Sequence, residues 1–324
     1  MPGSQVIRSV ILPERLLVAS SQVQIELGVN PISHLDILLT GPLNGVIPLP
    51  LATNIANYLQ SIRVIWKGAA AFDLRGGDAL AVGNFIHGKL PMLVANTTTS
   101  SGRFILGIRV PFSRHPYMLG EGLPSIKRGD LLLELNTGAL PANITSANVI
   151  VTQHEIPDAS PERWLRSTTL QRTPTATGDL DIDLPLGNVM TGLTMFSTTV
   201  PIGTVVTTTI DQLRLLVNNQ ETFLSSGTWE DLQWAGGMSQ QVPGFFADHA
   251  HDENTAVGYG QNVVSGGIVA PSSGLNNYAY LDMDPDGLTT FSLDLAQPNQ
   301  CVARVTAGDT NLLRLIPHNL VPVS

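Results

Sequence analysis

The run FFADHAHDENTAVGYG holds the densest group of side chains in the sequence that could carry out chemistry. In this run His249 and His251 stand one residue apart, with acidic residues on both sides. Alternate residues of a strand share a face, so both imidazoles could chelate zinc, iron or manganese. Two interpretations follow: the metal centre of an enzyme, or a polar loop on a protein that does no chemistry.

An enzyme built on this pair would be a bicupin-like metalloenzyme, because cupins are jelly-roll proteins that bind metal through such a pair. The cupin pattern also has a glycine several residues before the pair, a glutamate a few residues after it and a third histidine later. Gly244 is roughly placed, but Glu253 follows His251 too closely, and the only later histidine is His318. The sequence therefore favours an exposed polar loop, with a structural or a catalytic metal as the alternatives.

A second candidate site is the acidic turn LDMDPDG. Asp282, Asp284 and Asp286, followed by a glycine, repeat the opening of a calcium-binding loop. Leu293 stands where the bidentate acid of such a loop belongs, and Asp-Pro and Asp-Gly are also ordinary turn formers. The sequence leaves open an acidic turn or a calcium site, and it predicts no other cofactor.

Composition limits the classes of function. Hydrophobic residues make up 43% of the chain and charged residues only 13%, so much of the surface must be uncharged or apolar. Such a surface suits a protein that buries its outside against copies of itself. The net charge of -9 and the lack of any basic run argue against sequence-specific binding of nucleic acid. Cys301 is the only cysteine, which excludes an intrachain disulfide.

Most of the chain alternates apolar and polar residues with the two-residue period of strands, and helical patterns are short. The segment 53–62 could hold a short helix, and Ser160 could cap a helical turn that begins at Pro161. In the N-terminal segment, Ile7 and Val10 have helical spacing, which suggests an arm packed on the body or touching lipid headgroups. We predict an all-β fold. The clearest alternating runs are VQIEL, LDIDL, DLLLEL and NVIVTQH.

An internal repeat is the most informative feature of the sequence. IRVIWKGAAAFDLRG (62–76) aligns with LRLLVNNQETFLSSG (213–227) at one constant offset, which also matches an arginine, a phenylalanine and a glycine. Two pairs upstream, VQIEL with LDIDL and LDILLT with LTMFST, and a weaker pair downstream, RFILGIRV with TTFSLDLA, keep the same order. Each half then closes on an apolar strand that ends in histidine, His154 or His318. Several collinear matches indicate that one β-domain occurs twice.

The repeat sets the expected domain boundaries. We predict an N-terminal arm at 1–20, a first jelly roll at 21–156, a linker at 157–164 and a second jelly roll at 165–324. Each half has enough strands for an eight-stranded jelly-roll barrel.

Two tandem jelly rolls with few short helices and a surface low in charge resemble a known family. That family is the double jelly-roll major capsid proteins of icosahedral double-stranded-DNA or membrane-containing viruses, such as tectiviruses, corticoviruses and adenoviruses. The resemblance covers nearly the whole chain and lies in architecture and repeat rather than in a diagnostic motif. It implies a structural protein of the virion, not an enzyme, that forms homotrimers and packs against neighbouring capsomers after assembly in the host cytoplasm. It also implies contacts with minor capsid or vertex proteins and with an internal membrane.

Enzyme motifs such as GxSxG, the P-loop and HExxH do not occur in the sequence. A third hypothesis, a carbohydrate-binding double β-sandwich, would need a cluster of exposed aromatic residues, and aromatic residues total only 6%. The predicted function is therefore that of a capsid protein, with the bicupin-like enzyme and the carbohydrate-binding sandwich as alternatives.

Overall fold

The computed structural model divides the chain into two compact units. Unit 1 comprises Met1–Arg166, Ala256–Gly274 and Pro322–Ser324, and unit 2 comprises Ser167–Thr255 and Leu275–Val321. No helix among the described residues is long and apolar enough to cross a membrane. The structure describes residues 5–44, 51–88, 93–95, 102–124, 126–142, 144–200, 207–222, 226–239, 263–264, 267–268, 275 and 277–323.

Strands account for most of the regular structure in both units. From the N-terminus to the boundary between the units, the elements are β1 (Ile7–Leu17), β2 (Gln22–Glu26), β3 (Ile32–Leu43), α1 (Leu51–Ala56), β4 (Leu59–Trp66), β5 (Ala69–Leu74), α2 (Gly76–His87), β6 (Leu93–Ala95), β7 (Gly102–Pro111), β8 (Leu131–Thr137), β9 (Ala147–Glu155) and β10 (Arg163–Thr168). The elements that follow are β11 (Leu170–Arg172), β12 (Gly178–Asp183), β13 (Val189–Ser197), β14 (Ile210–Val217), β15 (Gln220–Glu221), β16 (Gly227–Thr228), α3 (Trp229–Ser239), β17 (Val263–Val264), β18 (Gly267–Ile268), β19 (Tyr278–Asp282), β20 (Leu293–Asp294), β21 (Cys301–Ala307) and β22 (Leu313–Pro322).

The two units share one topology. In unit 1 the strands pair in the order β1-β9-β3-β7-β6 in one sheet and β5-β4-β8-β2 in the other. In unit 2 the corresponding orders are β11-β22-β13-β19 and β15-β14-β21-β12. In both, the last long strand of the unit, β9 or β22, lies between two strands from its beginning. This is the jelly-roll topology, present twice, with the three-residue strand β6 as a ninth strand in unit 1. The predicted all-β double jelly roll is confirmed.

The sequence repeat corresponds to equivalent strands. The offset that aligns 62–76 with 213–227 also places both ends of β4 on the ends of β14. Ile62 and Leu213, which the repeat matches, are both fully buried. The weaker match of RFILGIRV with TTFSLDLA is wrong, because β7 pairs with β3 as β19 pairs with β13. The counterpart of β7 is therefore β19, and 289–296 contains only the two-residue strand β20.

Alternation along each strand explains which face is buried. In β3, Leu35, Ile37 and Leu39 are fully buried, whereas Asp36 and Leu38 between them are only partly buried. Successive side chains of a strand point to opposite faces, so one face packs in the core and the other carries polar groups. The polar face of β3 carries Asp36.

Two segments predicted as helical or as an arm are strands. Ile7–Leu17 pairs with β9 as β1, so most of the predicted arm belongs to the first sheet of unit 1. Its register shifts between Val10 and Arg15, around Pro13, where a missing N–H is tolerated. The helical turn predicted after Ser160 does not form. Instead, the N–H groups of Glu162 and Leu165 donate to the carbonyls of Gly120 and Phe112, at 3.0 and 2.9 Å.

Helix α2 opens with the pair Gly76 and Gly77, and in a sequence alone such a pair is typical of a turn. A Cβ atom on Gly76 would lie 1.9 Å from the carbonyl oxygen of Ala56, so the start of α2 requires a residue without a side chain. The helix ends at Gly88, whose φ of 61° is left-handed. Gly76 therefore permits a close approach of two backbones, and Gly88 permits the left-handed cap.

One core position in unit 2 provides a direct test of the repeat. Leu213 on β14 is fully buried in a cluster that includes Met195, Trp229 and Val305. Replacing Leu213 with alanine removes that packing, and we expect the free energy of unfolding to fall by about 2–5 kcal/mol. Urea denaturation followed by tryptophan fluorescence measures the change. The exposed neighbour Asp211 provides the control, because Asp211→Asn is expected to change stability by less than about 0.5 kcal/mol. Equal stability of the two variants would contradict this placement of β14.

Candidate functional site

The two sites predicted from the sequence have different outcomes. His249 and His251 lie outside the described residues. Asp282, Asp284 and Asp286 lie at and after the end of β19, and each carboxylate accepts a backbone N–H of its own turn. The donors are Asp284 to Asp282 at 2.9 Å, Thr289 to Asp284 at 2.7 Å and Leu288 to Asp286 at 3.0 Å. These bonds are typical of an acidic turn.

A different group of titratable side chains comes together in unit 1. The antiparallel register of β3 and β9 places His34 directly opposite His154, and Asp36 lies two residues further along β3. Their potential ligand atoms all lie within 4.8 Å of one another. The sequence marked His154 only as the end of a repeated strand. Its partners could not be identified without the register of β3 against β9.

Asp36 is the centre of a hydrogen-bonded chain. Arg109 on β7 donates to both of its oxygens, at 2.7 and 3.0 Å, and Nε2 of His154 lies 2.9 Å from Oδ2. The hydroxyl of Tyr117 lies 2.9 Å from Nδ1 of His154. Burial acts to raise the pKa of the Asp36 carboxyl, but the hydrogen bonds from His154 and Arg109 outweigh it and hold this pKa well below its usual range. Asp36 is therefore ionised and neutralised by Arg109.

His34 and His87 are buried close to the hydrogen-bonded side chains of Asp36, Arg109 and His154. The ring of His34 stacks on that of His154 at a centroid distance of 4.1 Å, and His87 on α2 meets His34 edge-on at 5.5 Å. Burial, together with the neighbouring Arg109, lowers the pKa of His34 to about 2, and burial lowers the pKa of His87 to about 4. Both imidazoles are therefore neutral at physiological pH.

A cavity of about 530 Å³ lies beside the cluster in unit 1. Its walls come from β1, β3, β7, β9 and α2, and they are largely apolar. The polar groups that reach it include Arg8, Asp36, His87 and Arg109. Because Arg109 already neutralises Asp36, a divalent cation here would leave a net positive charge in a mostly buried place. The arrangement is therefore that of a structural polar network rather than of a metal centre.

Unit 2 has a related network at the equivalent strand position. His318 lies opposite Gly192 in the pairing of β22 with β13, as His154 lies opposite His34. The ring of His318 contacts two hydroxyls: Nδ1 lies 2.8 Å from the hydroxyl oxygen of Ser167, and Nε2 lies 2.8 Å from that of Thr194. Burial lowers the pKa of His318 to about 3. The second copy thus keeps the histidine but replaces the carboxylate–arginine pair with neutral partners.

Two ion pairs with the same geometry but different exposure show how much burial adds to the stability that an ion pair contributes. Arg304 donates to both oxygens of Asp181 at 2.7 and 2.8 Å, much as Arg109 does to Asp36, but the Asp181 pair is more exposed. We expect Asp36→Asn to lower the free energy of unfolding by about 1–3 kcal/mol, because it leaves a partly buried guanidinium without its counter-charge. Asp181→Asn should cost clearly less, since exposed ion pairs contribute little. Chemical denaturation of both variants tests this, and an equal loss would contradict it.

The acidic turn offers a test of the calcium alternative. One oxygen of each carboxylate already accepts a backbone N–H within the turn. We therefore expect calcium at about 5 mM, a large excess over the Kd of a sensor-type site, to leave the Tm unchanged. Differential scanning fluorimetry with and without the ion measures it, with magnesium as the ionic-strength control. A calcium-specific rise in Tm that is lost in Asp284→Asn would establish a calcium site instead.

Comparison with known proteins shows similarity in structure but not in sequence. No protein-family model matches the chain, and no curated protein sequence matches it. Among solved structures, the chain is similar to the major capsid protein (MCP) of Sulfolobus Turreted Icosahedral Virus (STIV), with a TM-score of 0.68 and 14% identity over 98% of this chain and 97% of that chain.

Two other solved structures show the same similarity. The major capsid protein of bacteriophage PM2 matches with a TM-score of 0.60 and 12% identity over 98% of each chain. A chain of the PBCV-1 virus capsid matches with a TM-score of 0.60 and 9% identity, covering 99% of this chain and 94% of that chain. At such low identities the likeness concerns the fold. The chain has the double jelly-roll fold that these capsid proteins share.

Proposed function

We propose that this protein is a major capsid protein that forms trimers and covers an icosahedral virus shell with pseudo-hexameric capsomers. The observation that carries the proposal is the double jelly-roll fold, shared over 98% of the chain with the STIV MCP. Both jelly rolls are present here, and neither is reduced to a fragment.

The duplication has a physical use in such a shell. A hexagonal tile needs six similar lateral faces, and a chain with one barrel must form a hexamer to supply them. A chain with two fused barrels needs only a trimer, so less translational and rotational entropy is lost on association. The divergence between the two copies then gives neighbouring tiles distinct contacts.

The surface supports extensive contact with copies of the chain. Only 13% of its residues are charged, and several large apolar side chains are exposed in each unit. Leu288 is 74% exposed, and Phe291, three residues later, is 58% exposed. The exposed apolar residues include Val6, Val10, Leu16, Val18, Leu119, Leu186, Leu288 and Phe291.

The proposed partners follow from the same role. The chain associates with itself in the trimer and with neighbouring capsomers in the virion, after assembly in the host cytoplasm. Minor capsid or vertex proteins and an internal membrane are further proposed partners. With a net charge of -9, the protein does not bind nucleic acid sequence-specifically in this proposal.

Light scattering on the purified full-length chain tests the proposal. We expect a trimer of the 34.6 kDa chain, or larger particles, without stoichiometric transition metal by elemental analysis. The double variant His249→Ala/His251→Ala should assemble as the wild type does, because the pair has no role in assembly. A monomer or dimer that carries one zinc, iron or manganese per chain, lost in this variant, would contradict the proposal and favour the bicupin-like enzyme.

A further inference from the structure

A loop segment of unit 1, residues 112–124, is fastened to the buried histidines. Ser33 is the hub of this attachment: its Oγ accepts the N–H of Tyr117 at 2.9 Å and lies 3.0 Å from Nδ1 of His34 and 3.3 Å from Oγ of Ser113. Nε2 of His87 donates to the carbonyl of Ser113 at 3.1 Å. The hydroxyl of Tyr117 reaches His154, as described above. His87 and His154 therefore hydrogen-bond the segment directly, whereas His34 acts on it through Ser33 and through its ring contact with Tyr117.

The same segment holds the chain that leads out of unit 1. The N–H of Glu162 donates to the carbonyl of Gly120, and the N–H of Gly122 donates to the carbonyl of Arg163, both at 3.0 Å. Glu121, which is buried, pairs with Arg114 and lies 3.6 Å from the guanidinium of Arg163. The 112–124 segment is thus bound to residues 162–165, whose strand β10 is also paired with β5.

The backbone of the segment is strained at the point of attachment. Tyr117 has a φ of 65°, a conformation that a bulky residue adopts only where surrounding contacts compensate for it. Those contacts are the hydrogen bonds to Ser33 and His154. Loss of either bond removes part of what holds Tyr117 in this conformation.

Protonation of His34 or His87 would place an uncompensated charge in the cluster. Among the described residues, neither Nε2 of His34 nor Nδ1 of His87 has a hydrogen-bond partner, so an added proton would have no acceptor. Asp36, the carboxylate that acts on both histidines, is already neutralised by Arg109. The groups that face the two histidines are Ser33 and Asp36 on β3, Arg109 on β7, His154 on β9, Arg8 on β1, Asn84 on α2, and Ser113, His115 and Tyr117 on the segment.

From this geometry we propose that His34 and His87 form an acid-sensitive latch: when they are protonated, the 112–124 segment is released and its backbone hydrogen bonds to residues 162–165 are lost. The inference concerns unit 1 and goes beyond the capsid role, because it does not require assembly. Opening of the segment gives the imidazolium groups access to water and relieves the strain at Tyr117.

The direction of the pH dependence follows from linkage. The pKa values of both histidines are lower in the closed state, about 2 for His34 and about 4 for His87, than the ordinary value of 6.5. The closed state is therefore fully favoured above pH 6.5 and loses stability as the pH falls below it. Each histidine that gains a proton on opening changes the opening equilibrium about tenfold per pH unit.

Hydrogen exchange read by mass spectrometry on the full-length chain tests the latch. Exchange is compared at pH 7.5 and 5.0 after correction for the intrinsic rate. We expect protection of peptides covering 113–123 and 160–166 to fall at least about tenfold at pH 5.0, whereas strands β14 and β21, which contain no histidine, keep theirs. This experiment needs only the wild-type protein. Unchanged protection of the segment, or an equal loss of protection throughout the chain, would overturn the proposal.

Matched variants assign the effect to the two histidines. His34→Asn and His87→Gln keep a hydrogen-bonding group near Nδ1 and Nε2, respectively, but cannot be protonated, so their combination should abolish the pH-dependent loss of protection at 113–123. His318→Gln removes a buried histidine of unit 2 and should leave that loss unchanged. Persistence of the loss in the double variant, or its disappearance in His318→Gln, would refute the latch.

Discussion

The pairing of the last long strand of each unit with strands from its beginning is the constraint on which the rest of the structure depends. In unit 1, β9 lies between β1 and β3. This pairing places Arg8 opposite His154, although most of the sequence of the unit separates the two residues. No sheet of this kind can be completed until the end of the unit is available, so its strands form one cooperative core. The same insertion of β22 next to β13 completes unit 2. The fold of each unit and the histidine cluster of unit 1 both follow from this pairing.

The duplicated pairing shows how two copies of one domain diverge at equivalent positions. The core positions retain their apolar character, as Ile62 and Leu213 illustrate. The polar positions around the closing histidine do not, since His154 contacts a carboxylate whereas His318 contacts two hydroxyls. Packing density constrains an interior position in both copies, but a polar network can be satisfied by several sets of partners. Among the described residues, the charged network around the closing histidine is found in unit 1, where it holds the 112–124 segment.

Sequence reasoning recovered the features that depend on periodicity and repetition. Alternation identified β2, β8 and β9, and the aligned segments 62–76 and 213–227 located β4 and β14. It failed where tertiary contacts decide the conformation. Glycines at the start of α2 suggest a turn until Ala56 is seen to approach Gly76. Helical spacing of Ile7 and Val10 cannot reveal that β9 offers a partner strand. The cluster of His34, Asp36 and His154 depends on register, which a single sequence does not determine.

Two jelly rolls and a low share of charged residues agree with the proposed capsid role. Its buried polar groups serve internal structure, and its exposed apolar side chains suit contact with further copies. Electron cryo-microscopy of the purified oligomer tests this account most directly. The account predicts three chains around a threefold axis, with six barrels at the corners of a near-hexagonal tile. An oligomer of different symmetry, or one in which the two barrels of each chain do not occupy equivalent corners, would contradict it.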